Sequence, residues 1–133
     1  MPESPVAEFK VVFSDGGRKE AGIRDICNCT VRALAIAANI NYSLADSISS
    51  SAGRKRGRGF NSITTIEHAR KHGVSSRKLR FKNMTVQKFL RRYPSGRYYV
   101  AVTGHAFAVI DGVIYDSVTP RPLQRVRAAY FVL

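Results

Sequence analysis

Cys29, His105 and Asp116 are the residues of this chain whose types and spacing suit chemistry. A thiolate is a nucleophile, an imidazole can take its proton, and a carboxylate can fix the imidazole's tautomer and stabilise its charged form. Asn28 is a good helix N-cap, and Val31, Leu34, Ala35 and Ala38 keep the i, i+3, i+4, i+7 spacing of an amphipathic helix. Cys29 is thereby expected in a first helical turn, where the positive end of the helix dipole favours thiolate over thiol. The alternative for an unpaired cysteine is a small buried hydrophobe. Cys27, outside the helix start, is the weaker candidate.

His105 and Asp116 come together through a hairpin. Asp111-Gly112 between apolar runs is a two-residue loop signal. That loop pairs Ile110 with Val113 and sets Phe107 opposite Asp116. Period-two alternation then puts His105, Phe107 and Asp116 on one face, with His105 and Asp116 as diagonal neighbours within side-chain reach. A solvated histidine beside a loop aspartate is the alternative.

The elements that must position these residues are legible as coarse pattern. Residues 8–13 suit a strand, followed by a turn from Ser14 to Lys19, and residues 1–22 form an N-terminal arm or strand. After the helix opened by Cys29, Asn39 to Tyr42 break the pattern. Ser43 is expected to cap a second helix bearing Leu44 and Ile48. Residues 53–60, glycine interleaved with Arg54, Lys55, Arg56 and Arg58, read as an exposed, mobile basic loop. Ser62 opens a third helix through Ile63, Ile66 and Arg70, ending at Gly73. Leu79 and Phe81 alternate with Lys78, Arg80 and Lys82, as in a half-buried strand. Val86, Phe89, Leu90 and Tyr93 mark a short helix stopped by Pro94. The runs 97–102, 105–110, 112–117 and 128–133 read as an antiparallel meander. Helices first and sheet second predicts an α+β fold, with N-terminal helices packed on a C-terminal antiparallel sheet.

Composition bounds the rest. The 133 residues fit a single domain, and a hydrophobic content of 44% supports one core. No apolar run is long enough to span a bilayer, and the acidic, proline-bearing N-terminus does not resemble a signal peptide. Cys27 and Cys29 are too close in sequence for a good disulfide, which predicts free thiols in a reducing compartment. His68 and His72 form an i,i+4 pair without cysteine partners, so solvent-facing histidines are expected rather than a metal site. No cofactor is indicated.

The charge is uneven. Residues 47–105 hold fourteen Lys or Arg against one acid, Glu67, and elsewhere eight basic and eight acidic residues cancel. Such a field favours polyanions, namely nucleic acid, an acidic protein or anionic lipid. Arg54, Lys55, Arg56 and Arg58 are one candidate contact cluster; Arg77, Lys78, Arg80 and Lys82 are a second, of which Lys78, Arg80 and Lys82 share one strand face as a basic stripe; Lys88, Arg91, Arg92 and Arg97 are a third.

Cysteine at a helix start, a Gly-His opening a later strand and Asp on the next strand is the chain order of papain-like cysteine peptidases. The segments from Asn28 to Ala35 and from Gly104 to Asp116 resemble small bacteriophage proteins akin to the bacteriocin-processing (C39-type) branch of that fold. The resemblance spans roughly residues 24–117. It implies a papain-like fold with Cys29 as nucleophile, His105 as general base and Asp116 orienting the imidazole. The implied function is a thiol peptidase or acyltransferase acting on a peptide or protein. The implied setting is an infected bacterial cytoplasm or a virion. Papain-like enzymes usually carry an oxyanion-stabilising glutamine about six residues before the nucleophile, and here that place holds Ile23. The backbone N–H of Cys29, the Asn28 side chain and Arg24 are the remaining donor candidates. A papain-like scaffold with weak catalysis that binds nucleic acid or an acidic partner is the second implied reading.

Overall fold

The structure, a computed structural model, describes residues 10–25 and 27–133. In chain order it contains β1 (Val11–Phe13), α1 (Cys29–Ala38), α2 (Tyr42–Ser51), α3 (Ser62–Ala69) and a 3-10 turn (Arg70–His72). There follow β2 (Ser76–Lys78), α4 (Val86–Arg92), β3 (Arg97–Val102), β4 (His105–Ile110), β5 (Val113–Asp116) and β6 (Val126–Val132). The class is α+β, as the pattern predicts. Among the described residues no helix is long and apolar enough to cross a membrane. The expected strand at residues 8–13 is found from Val11, and residues 1–9 lie outside the described residues.

The six strands form one sheet in the order β1-β5-β4-β3-β6-β2. Two expectations change here. The sheet is mixed, because β1 runs parallel to β5, with Val11 beside Ile114. The meander also stops at β5, and β6 returns to the far side of β3, pairing Tyr99 with Tyr130. That central place suits its sequence: Ala128, Tyr130 and Val132 face one core, while Val126 and Ala129 face the other. A strand buried on both faces belongs inside a sheet.

Helices cover both faces of the sheet. Helices α1, α2 and α3 contribute Leu34, Ala45, Ile48 and Ile66 to one cluster; α4 contributes Val86 and Phe89 to the other. The α1 contact is close because it is built from small residues: Ala33 and Ala37 on the helix, Ala101, Ala106, Ala108 and Ala128 on the strands.

Local chemistry explains the helix ends. Asn39 closes α1 in the left-handed region (φ 55°), which asparagine tolerates better than most residues. The cap of α2 is Asn41, whose Oδ1 accepts the Leu44 N–H at 2.8 Å, and not Ser43. Asn61 caps α3 in the same way through the Thr64 N–H. The strand expected around Leu79 and Phe81 ends at Lys78, although the Leu79 N–H still reaches the Ala129 carbonyl of β6 at 2.9 Å.

The alanine layer gives a direct test. Ala108 is fully buried against α1, and Ala108→Leu is expected to cost about 2 kcal/mol of stability. Urea unfolding followed by circular dichroism measures it; an unchanged midpoint would show that the helix-to-sheet contact is looser than described.

Candidate active site

Cys29 is the first residue of α1, as the spacing predicts. Asn28 occupies the cap position, but its side chain makes no cap hydrogen bond. Instead Nδ2 donates to the Tyr42 hydroxyl at 3.0 Å, and Oδ1 accepts from Arg32 Nη1 at 2.9 Å. The first N–H groups of α1 are therefore without a side-chain cap, with the positive end of the helix dipole beside the thiol.

The hairpin forms in the expected register, with Ile110 opposite Val113. Asp111 (φ 50°) and Gly112 (φ 77°) are both left-handed, as a two-residue hairpin loop of this kind requires. His105 and Asp116 are the end residues of their strands. Their inner neighbours Phe107 and Ile114 pack on the α4 side, yet these two side chains are met by residues of α1. A strand end can be approached from either face, and the start of α1 lies there. His105 Nε2 lies 2.7 Å from Asp116 Oδ2. With Nε2 engaged, Nδ1 is the ring nitrogen left for Cys29.

Hydrogen bonding from the His105 ring and the Ala106 N–H acts on the Cys29 thiol in favour of its charged form. Burial alone would raise the thiol's pKa. Those two hydrogen bonds, with the charges of His105 and Arg32, outweigh burial and bring it below the ordinary thiol value. His105 moves the other way, to about 9, first because of the bond to Asp116 and second because of Cys29, against a smaller desolvation effect. Both shifts favour the thiolate–imidazolium form of the pair. Cys29, His105 and Asp116, selected from the sequence, are brought together.

Arg32 is the member the sequence reading missed. Its Nη2 donates to Asp116 Oδ1 at 3.0 Å, and the Asp116 carboxylate is fully buried. Asp116 Oδ1 also accepts the Ser117 N–H at 2.7 Å. A signal did exist: Arg32 is a charged residue three positions after Cys29, on the same helical face.

The proposed oxyanion donors fare unevenly. One Asn28 amide N–H is already engaged by Tyr42. Arg24 is exposed, and among the described residues nothing ties it to the cluster. Ile23 packs against the core. The backbone N–H of Cys29 remains.

The basic loop needs the largest correction. Arg54 is buried, not exposed: its Nη1 lies 2.9 Å from Asp25 Oδ2, and Nη2 donates to Asp25 Oδ1 at 3.0 Å. Asp25 also accepts the Gly57 N–H at 2.8 Å and the Tyr42 O–H at 3.1 Å. A buried carboxylate needs such donors, and Arg54 supplies the charge. Arg56 is exposed but lies 2.6 Å from Asp46. Lys55, Arg58, Arg77, Lys78, Arg80 and Lys82 are exposed as expected, although Arg80 and Lys82 lie beyond the strand that was to align them with Lys78. His68 and His72 meet at the Ser51 hydroxyl, at 2.7 and 3.3 Å.

No protein-family model, curated protein or solved structure matches this chain.

Two predictions follow from these pairs. His105 has a raised folded pKa, so its stabilisation is full below the unfolded value of about 6.5 and is lost as pH rises through about 9. A ring-resonance NMR titration should therefore show His105 protonated at pH 8. Asp116→Asn should lower the midpoint more than Cys29→Ala, because the Asp116 bond is the larger cause; the reverse order would refute it. Arg54→Met strands a buried carboxylate and should cost about 3 to 5 kcal/mol at neutral pH. Asp25 has a depressed pKa, so its contribution is present above about 3.8 and lost below. The wild-type advantage should therefore shrink in acid, as urea titrations at two pH values can determine.

Proposed function

We propose that this chain is a thiol-dependent acyl hydrolase or acyltransferase of cysteine-peptidase type, built on a papain-like layout. One observation carries the reading: His105 Nε2 lies 2.7 Å from Asp116 Oδ2, and the His105 ring and the Ala106 N–H act on Cys29 at the uncapped start of α1 to favour its thiolate. The order along the chain supports it, with a nucleophile opening a helix, a base opening a strand and an orienting carboxylate closing the next.

The chemistry follows from the protonation states. The Cys29 thiolate adds to the carbonyl carbon of an ester or amide, and the carbonyl π pair moves onto oxygen. Free N–H groups at the start of α1, that of Cys29 first among them, are placed to receive the developing oxyanion. Collapse expels the leaving group, which takes its proton from the His105 imidazolium, and leaves a thioester on Cys29. His105, now neutral, takes a proton from water or another acceptor as it attacks the thioester, and Cys29 departs as the thiolate beside the reprotonated ring, which restores the starting pair. Asp116 keeps Nε2 protonated throughout and stabilises the charged ring. Arg32 is a positioning residue: it acts on the ring only through Asp116.

Alkylation of a Cys27→Ser variant by iodoacetamide isolates Cys29. An ordinary thiol slows about tenfold per pH unit below its pKa. Cys29 is expected to slow less steeply than that from pH 8 to 6, and His105→Ala to restore the ordinary slope, with a rate at least about tenfold lower at pH 6. The Cys27→Ser variant with His105 intact should release nitrophenolate from a p-nitrophenyl ester, and Cys29→Ala should abolish this. Ordinary thiol behaviour together with no Cys29-dependent ester turnover would sink the reading.

A further inference from the structure

The net charge of +13 is carried by two different populations of cations. Arg32, Arg54, Arg56 and Arg70 lie beside Asp116, Asp25, Asp46 and Glu67 respectively. All four belong to α1, the loop after α2 or the end of α3, the three-helix side of the sheet. The α4 side is organised differently. Lys82, Lys88, Arg91 and Arg92 line one groove of about 330 Å³. Arg121, Arg125 and Arg127 line a second of about 550 Å³, together with Thr103. Arg125 Nη1 donates to Asn83 Oδ1 at 2.9 Å, and Thr85 pairs with Arg125 through the backbone, so the two grooves adjoin. Neither is lined by an acid. The sequence itself holds no Asp or Glu from His68 to Ile110 or from Ser117 to Leu133.

The guanidinium groups on this side are oriented by neutral partners. Arg127 Nε donates to Thr103 Oγ1 at 2.9 Å, and Arg125 is held by Asn83. Arg77 lies over the Phe131 ring at 5.7 Å and Arg92 over Tyr93 at 5.8 Å. Such contacts fix a guanidinium without cancelling its charge. A β-bulge contributes: Ala101 pairs with Ala128 but Val102 with Val126, which leaves Arg127 as the extra residue, turned out of the ladder.

We infer that the α4-side surface binds the phosphate backbone of nucleic acid without reading sequence. The charge is extended, concave and uncompensated, and five of the seven groove cations are arginine, whose planar fork matches phosphate oxygens. Two adjoining grooves offer more cations than a single monoanionic ligand can use, which points to a polymer of evenly spaced charge. A bilayer surface would meet concave grooves poorly. This differs from the expectation of a contact at Arg54 to Arg58, where two of the four cations already have carboxylate partners.

Fluorescence anisotropy of the full chain with a labelled mixed-sequence DNA duplex tests the inference across a salt series. With about five phosphates engaged, the log–log salt slope should be near −4.5. Lys88→Gln/Arg91→Gln/Arg92→Gln and Arg121→Gln/Arg125→Gln/Arg127→Gln should each weaken binding at least about tenfold and flatten the slope by about 2 to 3. Lys55→Gln/Arg58→Gln and Cys29→Ser should leave it unchanged, which separates this surface from the thiol chemistry. All the groove residues replaced are exposed, and melting curves confirm that the variants fold. Equal or tighter binding to polyglutamate or to phosphatidylserine vesicles would overturn the assignment, as would loss of affinity only in the Lys55/Arg58 variant.

Discussion

A fully buried carboxylate, that of Asp116, organises the functional end of this molecule. Its two oxygens receive His105 Nε2, Arg32 Nη2 and the Ser117 N–H. Without such donors an ionised carboxylate would not remain in the interior. Because His105 lies on β4, Asp116 on β5 and Arg32 on α1, satisfying one acid ties the first turns of the helix to the end of the sheet. Cys29 is one turn before Arg32 and is carried to the ring by the same tie. The alanine layer beneath α1 makes the approach short enough. Packing and electrostatics are thus two halves of one constraint.

The same device recurs one layer further in. Arg32 bonds to Asn28, Asn28 to Tyr42, Tyr42 to Asp25, and Asp25 to Arg54. Each link satisfies a polar group that burial would otherwise penalise. Burial, offset in part by Asn28 and reinforced by Asp25, pushes the Tyr42 hydroxyl up to about 12, so it remains a donor at physiological pH. The chain of contacts also explains why Asn28 does not cap α1. Its amide bridges Tyr42 and Arg32, and the helix start is left with donors to offer. Cys27 accepts a left-handed backbone (φ 53°) in the same short segment, where its carbonyl receives Arg54.

What could be read in advance was local. The start of α1 at Cys29, the Asp111-Gly112 loop and the His105–Asp116 pairing follow from periodicities and turn chemistry within a few residues. The fold class follows from the order of those patterns. Sheet order was not legible, because β6 is distinguished only by burial on both faces, a tertiary fact. Arg54 was misread for a related reason. A basic residue between glycines has the composition of a solvated loop, and its partner Asp25 is 29 positions away. Arg32 and Asp116 are 84 apart. Long-range ion pairs leave no periodic trace, and only the placement of Arg32 one helical turn after Cys29 hinted at its role.

The distribution of acids then decides what the remaining surface can do. Asp25, Asp46 and Asp116 are held at or beneath the surface by arginine, hydrogen-bonded within the fold. Carboxylates used in this way cannot neutralise cations elsewhere, so the α4 side keeps its excess. Mutual repulsion there opposes folding, and the cluster of Val86, Phe89, Tyr98, Val100 and Phe107 beneath α4 is what holds the face together against it. The two regions meet at one turn. Thr103 anchors Arg127, and two residues later His105 faces Cys29. A polyanion seated against Arg127 would therefore lie near the start of the strand that carries His105.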